Sequence, residues 1–122
     1  HIAEGRRQAG PGSPVLVHPE CAKEVREAAD YALSTGGMCR FVKESPCETF
    51  VIGTEQGILH RLVRENPEKR FVPIGDLTCA DMKKITLEKL YVALRDLAPE
   101  VVVPADVAEK AKRAIDAMLA LS

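Results

Sequence analysis

Thr49-Phe50-Val51-Ile52-Gly53-Thr54-Glu55 is the stretch that decides the fold. A short apolar run breaks at a glycine. Beyond it, Ile58, Leu59, Leu62 and Val63 recur on one helical stripe that ends near Asn66-Pro67. A run without polar alternation, followed by a helix, marks a strand buried on both faces. The same grammar recurs on either side. Upstream, Val15-Leu16-Val17 runs into His18-Pro19-Glu20 and a segment with Val25, Ala28 and Ala29 on one helical face. Tyr31-Ala32-Leu33 leads into Ser34-Thr35-Gly36-Gly37 and a helix from Met38 to Glu44, which Pro46 stops. This strand is the least distinct of the set, because the same residues also suit an extension of the helix before them. Downstream, Phe71-Val72-Pro73-Ile74 leads into Gly75-Asp76 and a polar turn. Leu87, Leu90, Tyr91, Leu94 and Leu97 then predict a helix, Glu100-Val101-Val102-Val103 a last short strand, and Pro104 opens a helix reaching Leu119. The pattern predicts an α/β fold, a short parallel sheet with helices on both faces in a three-layer α/β/α domain.

Composition agrees. Of 122 residues, 46% are hydrophobic and 29% charged, the mix of a single globular domain. With 17 Lys+Arg against 18 Asp+Glu, the net charge of -1 offers no electrostatic case for nucleic acid or an anionic membrane. No apolar run approaches the roughly 20 residues needed to span a bilayer. Aromatics are only 4%, so the core is expected to be aliphatic. The opening His1-Ile2-Ala3-Glu4-Gly5-Arg6-Arg7 has no apolar region of a signal peptide, and the expected compartment is the reducing cytoplasm. Residues 1–13 read as the end of a preceding helix or linker and 14–122 as the α/β domain. The chain is expected to be part of something longer.

In open parallel sheets, ligands bind beyond the carboxyl ends of the strands. His18 and Glu20, Ser34 and Thr35, Thr54 and Glu55, and Asp76 and Cys79 all fall at such ends, so they are expected to share one edge. Pro19 fixes the backbone between His18 and Glu20, which suits an acid/base pair or ligands for a polar substrate. The plainer alternative is a local hydrogen bond for His18 and a favourable helix-start charge for Glu20. Ser34 and Thr35 suit an anion at a helix start, or simply a cap. Thr54 reads as a cap with Glu55 in the first helical turn, His60 as a solvated flank, and Lys83-Lys84 as a wet basic pair. Four cysteines are present, none in a C-x-x-C pair. Cys39 reads as a small buried hydrophobe. Cys79, in the polar turn Asp76 to Lys83, has less reason to be there for packing.

Taken together, His18-Pro19-Glu20-Cys21, Leu33-Ser34-Thr35-Gly36, Phe50-Val51-Ile52-Gly53-Thr54-Glu55 and Cys79-Ala80-Asp81-Met82-Lys83 resemble the C-terminal part of the quinolinate synthase (NadA) family. The likeness runs from about Val15 to the C-terminus. It implies an enzyme of three similar α/β/α domains about a pseudo-threefold axis, with the active site where they meet. That enzyme condenses iminoaspartate (iminosuccinate) with dihydroxyacetone phosphate, losing water and phosphate, to give quinolinate for NAD biosynthesis. The resemblance further implies a [4Fe–4S] cluster held by one cysteine from each domain, with one iron left open as a Lewis acid. It makes Cys79 this domain's cluster ligand. It places His18, Pro19 and Glu20 in the substrate-binding segment, with His18 and Glu20 catalytic, and Thr35 on substrate with Ser34 beside it. Cys21, Cys39 and Cys47 receive no cluster role. The implied partners are the two substrates and the two other domains, without nucleic acid or membrane. A chain with one such cysteine is expected to be inactive alone. A reading from another class is a stand-alone α/β module that binds a small anion without a metal.

Overall fold

The computed structural model describes residues 1–121, which form two compact units, one ending at Lys83 and one beginning at Lys84. The first is built on four strands: β1 (Val15–Val17), β2 (Tyr31–Ala32), β3 (Thr49–Gly53) and β4 (Arg70–Pro73). They lie in the order β2-β1-β3-β4, and every pairing is parallel. The register sets Leu16 beside Ile52 and Val51 beside Val72.

Because strand side chains alternate, uninterrupted apolar runs feed two cores at once. Leu16, Phe50 and Ile52 turn to one face. There they pack with Met38, Cys39 and Val42 of α3 (Thr35–Glu44) and Leu62 of α4 (Ile58–Glu65). Val15, Val17 and Val51 turn to the other, against Ile2 and Ala9 of α1 (Ile2–Ala9), Val25 of α2 (Lys23–Ala28) and Ala29. The unit is therefore a three-layer α/β/α sandwich. Cys39 is the small buried hydrophobe the sequence suggests. The core is less purely aliphatic than composition implies. Phe50 is fully buried at its centre, stacked on Phe71 at 5.9 Å between centroids and met edge-on by Phe41 at 6.4 Å.

The N-terminal helix is one of the covering elements of this sheet. A Cβ on Gly5 would lie 2.7 Å from Val51 Cγ1, so α1 approaches β3 as closely as only glycine permits. Arg6 donates to Asp30 Oδ1 at 2.9 Å, and the Val15 N–H donates to Asp30 Oδ2 at 2.7 Å, tying α1 to the start of β1. The Arg6 hydrogen bond, helped by the Val15 amide, holds the Asp30 carboxyl below its ordinary value against its partial desolvation.

In the second unit, α5 (Leu87–Asp96) is capped by Thr86 Oγ1, which accepts from the Lys89 N–H at 3.3 Å, and is followed by α6 (Ala105–Leu119). The strand expected over Glu100–Val103 does not form. Val101 and Val102 are 84% and 79% exposed, and the segment has no ladder partner among the described residues. An apolar run becomes a strand only where an edge accepts its N–H and C=O groups, and sequence cannot display the edge. No helix among the described residues is long and apolar enough to cross a membrane.

Candidate functional site

The strand order reverses between β1 and β3, because α2 returns on one face and α3 and α4 on the other. Such a reversal opens a crevice beyond the carboxyl ends of the two strands. Val17 pairs with Gly53 there, and the His18 N–H donates to the Gly53 carbonyl at 3.3 Å, carrying the contact one residue further. A Cβ on Gly53 would stand 2.8 Å from Ile74 Cδ1 and 2.9 Å from Val17 Cγ1, so this close junction requires glycine.

Past β1 the chain folds into a tight turn. The Cys21 N–H donates to the His18 carbonyl at 3.0 Å, and Arg26 Nη1 donates to the Pro19 carbonyl at 2.8 Å. The Glu20 N–H donates to His18 Nδ1 at 3.3 Å. With Nδ1 accepting, the neutral imidazole carries its hydrogen on Nε2, the nitrogen left for a ligand. Glu20 Oε2 lies 3.8 Å from Nδ1; the Glu20 side chain is 90% exposed, the His18 side chain 27%.

Past β3, the capping expected of Thr54 does not form. Helix α4 begins only at Ile58, too far along the chain for Thr54 to act as its N-cap; its N-cap, Gly57, has no side-chain cap, and Glu55 Oε2 accepts the Gly57 N–H at 2.7 Å just ahead of the helix. Glu55 Oε1 lies 2.9 Å from Lys83 Nζ. The ammonium meets that buried oxygen as an ion pair, off the direction of a hydrogen bond. Lys83, assisted by the Gly57 amide, holds the Glu55 carboxyl below the usual carboxylate range. Lys83 is thus a committed partner rather than a merely wet lysine. His60 is exposed on its helix, as its sequence context suggests.

Past β4, Gly75 turns the chain at φ +67. The Gln56 N–H donates to the Leu77 carbonyl at 2.9 Å and Gln56 Nε2 to Thr78 Oγ1 at 2.8 Å. Thr78 in turn donates to Asp76 Oδ1 at 3.1 Å. The Lys83 N–H closes onto the Cys79 carbonyl at 3.1 Å, and the Cys79 thiol is exposed.

Two adjoining clefts result. One of about 350 Å³ is lined by His18, Glu20, Thr54, Glu55, Asp76 and Cys79 among others. A second of about 680 Å³ shares His18, Glu20, Thr54, Glu55 and Cys79 and adds Thr35, Arg61 and Lys83. The structure thus brings His18, Glu20, Thr35 and Cys79 together at one edge. Ser34 and Pro19 line neither cleft. Ser34 Oγ accepts the Gly37 N–H at 3.2 Å as the cap of α3, so it orients Thr35, the first residue of that helix. Thr54 and Glu55, read as structural from sequence, belong to the lining, and their place at a strand end was the available signal. Arg61 and Lys83 carried no such signal. Another concavity, of about 540 Å³, lies at the opposite ends of the strands. Its charged lining residues Arg6 and Asp30 are paired with each other, so it lacks the convergent polar groups of the strand-exit clefts.

Among the described residues, no three His, Cys, Asp or Glu side chains are grouped to hold a metal ion. Cys79 is a free, exposed thiol beside the clefts, a soft donor that fits one corner of an iron–sulfur cluster. Any cluster held here needs thiolates from elsewhere.

A doubly wound parallel sheet with polar groups and a thiol converging at its switch point defines a small-ligand α/β domain. The chain belongs to the family described as quinolinate synthetase A protein (NadA), whose model matches residues 1–120. It is 49% identical over 116 residues to the quinolinate synthase of Methanoregula boonei, covering 94% of this chain and 38% of that protein. It is 49% identical over 98 residues to that of Clostridioides difficile (80% and 32%) and 45% identical over 115 residues to that of Thermotoga maritima (94% and 39%). The chain thus spans a third to two fifths of the length of these curated relatives.

Proposed function

We propose that this chain is the C-terminal part of a quinolinate synthase, a cytoplasmic transferase of NAD biosynthesis that condenses iminoaspartate with dihydroxyacetone phosphate. The observation that carries the reading is the convergence of His18, Glu20, Thr35 and Cys79 on one strand-exit edge, in a chain whose relatives bear that name. The exposed apolar side chains of α5 and α6, Leu87, Leu94, Ile115 and Leu119 among them, suit a surface that the two other domains of one enzyme cover.

In this reading, Cys79 holds one corner of a [4Fe–4S] cluster. When bound, the cluster supplies a Lewis-acidic iron for dehydration. The chain's own groups do the rest. His18 offers Nε2–H to a substrate oxygen while the Glu20 amide fixes its ring. The exposed Glu20 carboxylate accepts one proton as the imine forms and returns it to the hydroxyl that leaves as water, so it ends the step ionised. Thr35 and the start of α3 receive a substrate carboxylate or phosphate, favoured by the helix dipole, and the Ser34 hydroxyl keeps its own hydrogen to donate beside it.

The test uses the complete enzyme. Cys79→Ser is expected to abolish cluster absorbance and quinolinate formation while far-UV circular dichroism is retained. His18→Ala and Glu20→Gln are expected to keep the cluster and lose turnover. The 122-residue chain alone, reconstituted anaerobically with iron and sulfide, is expected to form no quinolinate. A cluster that survives Cys79→Ser, or turnover by the isolated chain, refutes the reading.

A further inference from the structure

Residues 76–79 belong to neither helix nor strand, so no backbone ladder fixes the position of Cys79. Two neighbouring residues from another part of the sheet edge do so instead, through backbone and side-chain contacts together. We propose that Glu55 and Gln56, at the exit of β3, are positioning residues that staple the Cys79 turn on both flanks. This rests on the reading of Cys79 as a cluster ligand. On the leading flank, Gln56 holds Leu77 through its backbone amide (2.9 Å) and Thr78 through its side-chain amide (2.8 Å). On the trailing flank, Glu55 holds Lys83 at 2.9 Å, and the Lys83 N–H holds the Cys79 carbonyl at 3.1 Å. Glu55 is itself anchored, since its other oxygen takes the Gly57 N–H at 2.7 Å. Both staples therefore transfer the rigidity of the β3–α4 junction to the turn that carries the thiol. A thiolate aimed by such contacts holds iron more durably than one on a free loop, because groups behind a ligand govern its orientation.

The experiment compares iron loss to an excess of chelator from the anaerobically reconstituted complete enzyme, together with the electron paramagnetic resonance spectrum of the reduced cluster. Gln56→Ala, Glu55→Gln and Lys83→Met are expected to lose iron about tenfold faster or more, the scale set by second-layer partners of metal ligands. Their spectra are expected to shift, while Lys83→Arg, which preserves the ion pair, stays close to the parent. Val42→Ala, a change in the buried face of α3, controls for general destabilisation and is expected to leave the rate of iron loss unchanged. Parental rates in the staple variants, or equal acceleration by Val42→Ala, overturn the proposal. Cys79→Ser separates the two levels. Loss of the cluster there with parental rates in the staple variants refutes the stapling alone, whereas retention of the cluster refutes the ligand assignment beneath it.

Discussion

Gly53→Ala and Gly36→Ala make the same chemical change with opposite expected signs. At Gly53 the new methyl would lie 2.8 Å from Ile74 Cδ1 and 2.9 Å from Val17 Cγ1, where apolar carbons prefer about 3.5–4.0 Å. Val17 is fully buried and Ile74 nearly so, so neither can swing into solvent. Overpacking of this kind costs about 1–3 kcal/mol. The smaller conformational freedom of alanine in the unfolded chain returns about 0.4–1 kcal/mol. The net expectation from these two terms is a destabilisation of about 1.3 kcal/mol at the middle of both ranges, and of about 2.6 kcal/mol at most. At Gly36, in the first turn of α3, the nearest atom to a new Cβ is Arg40 Nη1 at 3.9 Å, an ordinary contact. There alanine only improves helix propensity, by up to about 1 kcal/mol. Urea unfolding followed by far-UV circular dichroism reads both. With a slope of about 1–3 kcal/mol per M, Gly53→Ala should lower the midpoint by a few tenths of a molar or more, and Gly36→Ala should raise it. Midpoints that move in the same direction, or a rise for Gly53→Ala, would refute the claim that close packing decides the junction of β1, β3 and the strand exit.

Three further outcomes follow from the same packing. Phe50→Ala removes the fully buried ring between Phe41 and Phe71 and should cost about 3–5 kcal/mol in the same unfolding assay. Ser34→Ala should cost about 1 kcal/mol through loss of the α3 cap, and Ser34→Asp should restore most of it, as judged by thermal midpoints. Asp30 has a folded pKa below its unfolded value, set first by Arg6, so its contribution is present above the ordinary carboxylate range and is lost as pH falls through the lowered folded value. The stability difference between the parent and Asp30→Asn should therefore be largest near neutrality and shrink on acidification below the unfolded carboxyl pKa of about 4; a difference that is flat with pH would contradict the assignment.

What the sequence alone determined is what neighbours in sequence decide. Uninterrupted apolar runs at 15–17 and 49–53, glycines and prolines where they end, and helical stripes between them are local signals, and they were enough to give a parallel α/β sandwich. They were also enough to assign His18, Glu20, Thr35 and Cys79 to one edge, because strand ends in a parallel sheet point the same way. Tertiary structure decided which ends become adjacent. Pairing of β1 with β3 brings His18 against Gly53 and makes Thr54 and Glu55 part of the cleft. The Glu55–Lys83 and Gln56–Thr78 contacts join residues more than twenty positions apart. The valines at 101–103 satisfy every local criterion for a strand and form none. Hydrogen-bonding edges and ion-pair partners are supplied by distant parts of the chain, and their availability is a property of the folded molecule rather than of any short stretch of residues.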